Sequence, residues 1–420
     1  MTTDNFSSRL ERIIPRARLT SGLLLFAAGL LILLLFGFNS EPGQATKFGL
    51  NLGVEAVKIP DLVLPVLPSI YVLTLVLFFL GGWQMAKGTK SSGLLIFIFA
   101  FCFVAAFMLW AARDKSFSLV GMLNSTAVRA TPIALAALCG VISERSAVVN
   151  IGIEGIMLIS AEVAVIVGSV TDNLYLGLLS AILTGGLIAA MHAFLVIRFK
   201  VDQIVSGVAI NIFGAGITSF ISSRFLERNT DLLNSSGTFP ALAIPGLSKI
   251  PFLGPIFFDN NLIVYLTIVL VVLLHILLFY TAWGLRTRAV GEHPKAADTL
   301  GVNVYLIRYV NVILGGMIAG VGGAYFTIGS VGRFDEIMTA GKGFIGLAAV
   351  IFGKWTPIGA YTSSLIFGFA DSLQVKLQIL RVPIPSEFLL MAPYIVTMIV
   401  LTGVVGRAIP PAADGQPYEK

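Results

Sequence analysis

The sequence predicts an all-α membrane protein, a polytopic bundle of transmembrane helices. Of its 420 residues, 56% are hydrophobic and 12% are charged, and the mean hydropathy is +0.91. A soluble domain carries about 25% charged residues, so this chain has too few polar side chains to cover a water-exposed surface. The apolar runs are about 20 residues long and lack period-2 alternation, which favours spanning helices over spanning strands.

The first predicted helix covers residues 19–38 and follows four arginines between positions 9 and 18. This apolar run is longer than the core of a signal peptide, and it ends in Asn39-Ser40-Glu41-Pro42 instead of a small-residue cleavage site. A retained helix with its basic end inside is therefore predicted. The next two spans are predicted at residues 64–85 and 93–112.

The later apolar runs predict eight further spans, separated by polar or basic loops. They cover residues 119–142, 148–170, 174–199, 204–222, 262–280, 309–329, 357–377 and 388–405. With a broken, glycine-rich region at residues 332–353 that crosses once, the chain would make about 12 crossings. The basic loops then fall on the cytoplasmic side, and both termini are predicted there.

Composition also excludes several classes of function. The two cysteines, Cys102 and Cys139, lie in apolar runs, and the three histidines lack metal-ligand spacing. We therefore expect no disulfide framework, no metal and no cofactor. The net charge of +6 is explained by Lys and Arg in cytoplasmic loops, so a nucleic-acid partner is not expected. The clustered catalytic groups that an integral membrane enzyme would need are not seen in the sequence.

The most informative stretch covers residues 143–155, which places polar and charged residues next to glycines inside an otherwise apolar protein. Burying such groups is unfavourable unless they are paired or face water. Asn150 and Glu154 would share one face of a starting helix and are candidates to line a substrate pathway. The alternative is that Glu154 pairs with Arg145 or another basic group, such as Arg129, to hold helices together.

Three further polar residues are candidates for the same pathway. Glu162 lies well inside a predicted span, where an ionisable group should face a cavity or a partner, and a structural pairing is the alternative. Gln203 follows Asp202 at a membrane edge, where a solvated helix cap is the alternative. Asn211 lies deeper, on one face with two glycines, and is predicted to face a cavity.

A short helix is predicted within residues 291–301, in a basic cytoplasmic loop. Pro294 suits its first position, and Gly301 suits the cap after its last turn. Ala296, Ala297 and Leu300 would share a small, shallow face that suits docking into a groove of another protein. An ordinary interfacial helix is the alternative. The candidate docking residues are Glu292, Pro294, Lys295, Ala296, Ala297, Leu300 and Gly301.

The chain lacks a phosphate-binding loop of the form Gly-x-x-x-x-Gly-Lys-Ser/Thr. The nearest match, Gly353-Lys354-Trp355, has Ala348 in place of the first glycine and Trp355 in place of the hydroxyl residue. Energy from ATP would therefore have to come from a separate chain, and no enzymatic activity is expected of this one.

A long polar loop at residues 223–261 carries four prolines together with basic and acidic side chains. Proline stiffens a loop, so a rigid external docking surface is predicted. A merely solvated loop is the alternative.

Three segments carry a resemblance to a known family: SERSAVVNIGIEG at residues 143–155, DQIVSG at 202–207 and GEHPKAADTLG at 291–301. Together they resemble the membrane permease subunit of bacterial ABC importers, in the branch for nucleosides, sugars and branched-chain amino acids, and most of all its nucleoside type. The resemblance implies the helical fold of type II ABC importer permeases. It predicts an extra N-terminal extension at 1–115, the permease core at 116–407 and a cytoplasmic tail at 408–420.

The resemblance also implies a function and partners. The chain would be a multi-pass permease of the bacterial plasma membrane, with a substrate pathway between two permease subunits and a coupling helix at the predicted short helix. Its partners would be an ABC ATPase subunit, a second related permease in a heterodimer, an extracytoplasmic substrate-binding protein and the lipid bilayer. Ribose-like sugars or another small polar solute are alternative substrates, and a secondary transporter is the alternative class.

Overall fold

The computed structural model describes residues 4–53, 58–88, 92–382, 384–385, 387–388, 391 and 408–420. Within these residues, nine helices are long and apolar enough to cross a membrane, which confirms the predicted all-α, polytopic fold. The chain divides into two compact units. One unit consists of Met1–Gly121 with Val375–Leu389, and the other of Met122–Gln374 with Leu390–Lys420.

The first unit contains three membrane-length helices and a small sheet. Its helices are α1 (Asp4–Ile32, continued by a π-helical turn to Gly37), α2 (Val66–Ala86) and α3 (Ser92–Ala111). Its strands are β1 (Ala45–Gly49), β2 (Leu62–Pro65) and β3 (Ser116–Ser118). The sheet order is β2-β1-β3, with β1 antiparallel to β2 and parallel to β3.

The second unit is built from helices joined by short loops and one structured long loop. Its main helices are α4 (Leu119–Glu144, in this unit from Met122), α5 (Ile153–Thr171), α6 (Leu174–Ala193) and α7 (Gln203–Ile221). The long loop contains α8 (Thr230–Leu233), β4 (Ala241–Ala243), α9 (Leu253–Phe257) and β5 (Asp259–Asn261). The chain continues with α10 (Leu262–Tyr280), α11 (Ala282–Glu292), α12 (Pro294–Thr299), α13 (Val304–Phe326), α14 (Lys342–Phe352) and α15 (Pro357–Ile379, in this unit to Gln374).

The predicted spans agree with the observed helices in most places. The span predicted at 262–280 coincides with α10, and those at 19–38, 64–85 and 93–112 agree within about two residues with the first three apolar helices. The broken region holds the short apolar helix α14. Helix α15 follows the span predicted at 357–377 but is not among the nine apolar helices, and the span predicted at 388–405 lies largely outside the described residues.

Helix α5 begins five residues later than predicted, at Ile153 instead of Val148. The chain between α4 and α5 makes a turn in which Ala147 has a φ of +66°, a left-handed conformation that cannot belong to an α-helix. Apolar residues continue through this turn because Val148 is fully buried. Hydropathy alone therefore placed the start of the helix too early.

Glycines allow α6 and α13 to pack in direct backbone contact. A Cβ on Gly316 would lie 2.5 Å from the carbonyl oxygen of Gly185, and Gly320 approaches Ala181 in the same way one turn later. Small residues at such positions let two membrane helices approach closely.

The loop between α7 and α10 is ordered. Strands β4 and β5 pair in an antiparallel ladder from Ala241↔Asn261 to Ala243↔Asp259. Tyr265 Oη donates a hydrogen bond to Leu242 O at 2.9 Å and ties this ladder to α10. The loop therefore contains regular structure attached to α10, and its rigidity remains a prediction.

Candidate functional site

The carboxylate of Glu154, in the first turn of α5, caps the first turn of α14. Oε1 accepts hydrogen bonds from Thr339 Oγ1 at 2.6 Å and from Gly341 N at 2.8 Å, and Oε2 accepts one from Gly343 N at 2.6 Å. The free N–H groups of a helix start carry partial positive charge, so a carboxylate is stabilised there. Gly341 has a φ of +78°, and a Cβ on Gly343 would lie 2.7 Å from Glu154 Oε2, so this contact requires glycine at both positions.

Neither arginine considered as a partner of Glu154 bonds to it. Arg145 Nε donates to Trp355 O at 2.8 Å, and Arg129 Nη1 pairs with Asp371 Oδ2 at 3.1 Å. Glu154 does hold two helices together, as the structural alternative supposed, but through backbone N–H groups and a hydroxyl.

Asn211 and Gln203 join α7 to the segment around the start of α5. Asn211 Oδ1 accepts a hydrogen bond from Gly155 N at 2.8 Å, and its Nδ2 donates to Ile151 O at 3.0 Å. Gln203 Oε1 accepts from Val149 N at 2.7 Å. Both side chains therefore satisfy backbone groups that the non-helical turn before α5 would otherwise leave unpaired.

Asn150 and Glu162 are buried inside this unit. Asn150 is fully buried, and its Oδ1 accepts a hydrogen bond from Gly152 N at 3.0 Å, which shapes the turn before α5. Glu162 is 1% exposed, and its Oε1 has no hydrogen-bond partner among the described residues. The contacts thus give Asn150 a structural role and leave Glu162 as a buried carboxyl group with an unsatisfied oxygen.

A cluster of three charged side chains, Arg129, Lys342 and Asp371, lies within the helical bundle of the second unit. Lys342 Nζ lies 3.0 Å and Arg129 Nη1 3.1 Å from the same carboxylate oxygen, Asp371 Oδ2. The side chain of Asp371 is 12% exposed and that of Lys342 is 18% exposed. One carboxylate thus faces two cations, so the cluster keeps an excess positive charge, and the side chain of Arg129 is 37% exposed.

This charged cluster lines a cavity of about 280 Å³ between α4, α13, α14 and α15. Small-molecule sites begin at about 300 Å³, so the cavity is close to the size needed for one small solute. Its lining combines aromatic, hydroxyl, amide and charged side chains. The lining residues are Asn124, Ser125, Val128, Arg129, Pro132, Tyr325, Phe326, Ser330, Lys342 and Asp371.

Two of the polar lining groups are held in place by the backbone. Tyr325 Oη donates to Val128 O at 2.8 Å, and Asn124 Nδ2 donates to Pro255 O at 2.7 Å. Tyr325 is 4% exposed, so its ring cannot swing freely. The cavity therefore presents a buried aromatic ring beside hydrogen-bonding and charged side chains.

This cavity is not predicted by the sequence analysis. Arg129 is there only a candidate partner of Glu154, and Lys342 and Asp371 are not among the candidate site residues. The available signal was the position of Arg129 and Asp371 inside predicted spans, because an ionisable residue at membrane depth indicates a functional site or a buried partner. The pairing itself joins positions 129 and 371, which a single sequence does not connect.

The short helix predicted in the basic loop is present as α12. Pro294 occupies its first turn, His293 Nδ1 accepts a hydrogen bond from Ala296 N at 3.2 Å, and Gly301 follows with a φ of +84°. The histidine cap was not predicted. Ala297 is 3% exposed and faces the protein, whereas Leu300 is 85% exposed.

The remaining docking candidates are partly or fully exposed. Lys295 and Ala296 are exposed, and Glu292 is exposed while its Oε2 accepts a hydrogen bond from Ala412 N at 3.3 Å. The face that another protein could reach therefore contains Lys295, Ala296 and Leu300, and Ala297 lies on its inner side.

Comparison with known proteins gives a consistent family. Residues 122–406 match the family described as "Branched-chain amino acid transport system / permease component". The chain is 45% identical to the guanosine ABC transporter permease protein NupQ of Bacillus subtilis, over 70% of this chain and 95% of the relative. It is 42% identical to the nucleoside ABC transporter permease protein NupC of Lactococcus lactis, with the same coverage.

A more distant relative is the guanosine ABC transporter permease protein NupP of Bacillus subtilis, 26% identical over 61% of this chain and 73% of the relative. No solved structure shows a significant match to the chain. The family match covers more than half of the chain and includes every residue of the charged cavity, of the cap on α14 and of α12. This multi-pass membrane protein therefore belongs to the branched-chain amino acid transport system permease family.

Proposed function

We propose that this chain is the permease subunit of an ATP-driven importer of nucleosides. The observation that carries the proposal is the cavity bounded by Tyr325, Phe326 and the charged cluster. A nucleoside has a flat aromatic base and a polar ribose, and the cavity offers aromatic faces beside hydroxyl, amide and charged groups. The names of the two relatives above 40% identity, a guanosine permease and a nucleoside permease, support this substrate class.

A sugar is the second candidate substrate. The chain is 37% identical to the putative glucose ABC transporter permease protein TsgC13 of Haloferax volcanii, over 61% of this chain and 78% of the relative. A sugar would use the hydrogen-bonding groups of the cavity but would have no base to place against Tyr325 and Phe326. Replacing these aromatic rings therefore separates the two substrates.

The exposed face of α12 is proposed to dock a separate ATPase subunit. An exposed leucine on a short, capped helix offers an apolar contact at a fixed position, and Lys295 adds a positive charge beside it. The similarity to two guanosine permeases of one organism supports pairing with a second, related permease. An extracytoplasmic binding protein would deliver the substrate, and both termini would lie in the cytoplasm.

The test is uptake of a radiolabelled nucleoside by cells that carry Asp371→Asn, with Asp335→Asn as the matched control. Asp335 also pairs with an arginine, Arg333, but that pair is exposed. We expect uptake to fall about tenfold or more for Asp371→Asn, because losing a charged hydrogen-bonded partner beside the substrate removes about 1.5–3 kcal/mol. The control should transport normally, and equal uptake by both variants at equal membrane abundance would refute the cavity's role.

A second measurement covers the case in which Asp371→Asn fails to fold. Ser125→Cys, on a background without Cys102 and Cys139, places a thiol at the cavity wall. Nucleoside delivered by its binding protein should slow labelling of this thiol by a water-soluble reagent, and glucose should not. Protection by glucose alone would favour the sugar, and the absence of protection by either solute would contradict a substrate site here.

A further inference from the structure

The C-terminal tail, residues 408–420, lies against the loop that carries α12. Ala413 N donates to Gly291 O at 2.9 Å, and Ala412 N donates to the carboxylate of Glu292 at 3.3 Å. Both bonds are made at the end of α11, directly before α12. The tail is therefore bonded to the chain directly before the short helix.

Tyr418 fills the space beneath α12. Its side chain is 5% exposed and packs in one apolar cluster with Ala297, Val290, Val304 and Ile307, and its ring centroid lies 5.3 Å from that of Tyr305. A six-residue helix is marginal on its own, so its stability depends on burying one face. The tail covers the inner face of α12, and Leu300 on the outer face stays exposed.

Charged and backbone contacts extend this attachment to other cytoplasmic segments. Glu419 pairs with Lys200, in the link between α6 and α7, at 2.6 Å. Lys420 lies 3.7 Å from Asp298 of α12, and Arg308 of α13 donates to Gln416 O at 3.0 Å. One short segment thus touches α11, α12, α13 and the α6–α7 link.

We propose that the tail is a strap that positions α12 for its ATPase partner and joins it mechanically to the link between α6 and α7. Exposed ion pairs stabilise by at most about 1 kcal/mol, so Tyr418 and the hydrogen bonds donated by Ala412 N and Ala413 N supply most of the attachment. The ion pairs fix which segments are joined. This proposal rests on the proposed function in one respect, because the helix that the strap positions is the one assigned to the ATPase.

The first experiment tests whether the tail holds the α6–α7 link at a fixed distance from α12, and it needs neither ligand nor ATPase. Spin labels at Val201→Cys and Leu300→Cys, on a background without Cys102 and Cys139, report the distance between the α6–α7 link and α12. We expect a narrow distance distribution in the full chain and a broad one when the chain ends after Ile409. Tyr418→Ala should broaden it as well, and Tyr418→Phe should not. An unchanged distribution after truncation would overturn the strap.

The second experiment measures how strongly substrate-loaded binding protein stimulates ATP hydrolysis in the purified complex of permease, ATPase and binding protein. Tyr418→Ala should keep basal ATP hydrolysis but lower its stimulation by substrate-loaded binding protein at least about fivefold, the lower end of typical coupling between sites. Tyr418→Phe should restore it. Normal stimulation in Tyr418→Ala would show that the tail does not position α12 for the ATPase.

Exchanging the charges of Lys200 and Glu419 tests whether the effect comes from this ion pair or from a general loss of stability. Lys200→Glu should broaden the distance distribution, and the double variant Lys200→Glu/Glu419→Lys should narrow it again. Failure of the exchange to restore the distribution would contradict the pairing of Lys200 with Glu419. Because the distance measurements need no nucleoside, they remain informative even if the proposed substrate proves wrong.

Discussion

At the scale of single residues, Glu154 shows how a carboxylate inside an apolar bundle is satisfied. The sequence suggested either a pathway group or an ion pair with Arg145 or Arg129. The structure instead gives it one hydroxyl and two backbone N–H donors, all from the turn that starts α14. A pattern of side chains does not reveal such donors, because these N–H groups are exposed by a turn with φ > 0 at Gly341.

Replacing Glu154 by glutamine should destabilise the protein. The amide keeps one acceptor oxygen but turns its NH₂ group towards N–H donors, so at least one charged hydrogen bond is lost, worth about 1.5–3 kcal/mol. The melting temperature in detergent measures this change. The exposed Glu227→Gln should leave the melting temperature unchanged, and equal values for both variants would contradict the capping role.

The attachment of the tail should depend on pH through Asp414. Burial raises the pKa of Asp414 to about 7, although Arg308 favours its charged form, and Glu144 also lies near it. Asp414 therefore binds its proton more tightly in the docked tail than in the free chain, where the ordinary pKa of its carboxyl group is 3.8. Docking is strongest below that ordinary value, weakens as the pH rises to about 7, and then stays constant.

The measurement is the mobility of a spin label at Ala412→Cys between about pH 5 and pH 8. Mobility should rise with pH up to about 7, and Asp414→Asn should remove most of the change. A label that becomes less mobile as the pH rises would contradict the direction of the effect.

At the scale of elements, the spans were predictable because hydrocarbon thickness fixes their length. An apolar run of about 20 residues has the length of a membrane-spanning helix. Helix α10 agrees with its predicted bounds. The ends of helices that are determined by a turn were harder to predict from the sequence. The start of α5 depends on the left-handed Ala147 and on the carbonyl and N–H groups that Asn211 and Gln203 satisfy, and these contacts join positions far apart in the sequence.

The packing of α6 against α13 gives a prediction at this scale. A Cβ on Gly316 would lie 2.5 Å from the carbonyl oxygen of Gly185, so Gly316→Ala should force the two helices apart and lower stability by about 1–3 kcal/mol. Gly216→Ala, on α7 with open space around it, is the matched control and should be neutral or slightly stabilising. Thermal unfolding in detergent measures both, and equal melting temperatures would contradict the close contact.

At the scale of the whole molecule, the family and the helical fold were accessible from three short segments, and the cavity was not. The polar residues selected from those segments, such as Asn150 and Gln203, bond to nearby backbone and shape the start of α5. The cavity is lined instead by residues from four helices, including Arg129 and Asp371. Each of these stands alone in an apolar run, and a lone charge does not reveal its partner.

Helix α14 has a mechanical property that follows from its two ends. Its first turn is pinned by Glu154 from α5 and by Asp371 from α15, while the turn after its last residue is gripped through Trp355, which bonds to Arg145 and to Glu144 at the end of α4. Eleven residues at about 1.5 Å each make a rigid rod of about 16 Å. Because this rod is held at both ends, it fixes the distance between Lys342 in the cavity wall and the turn at Trp355.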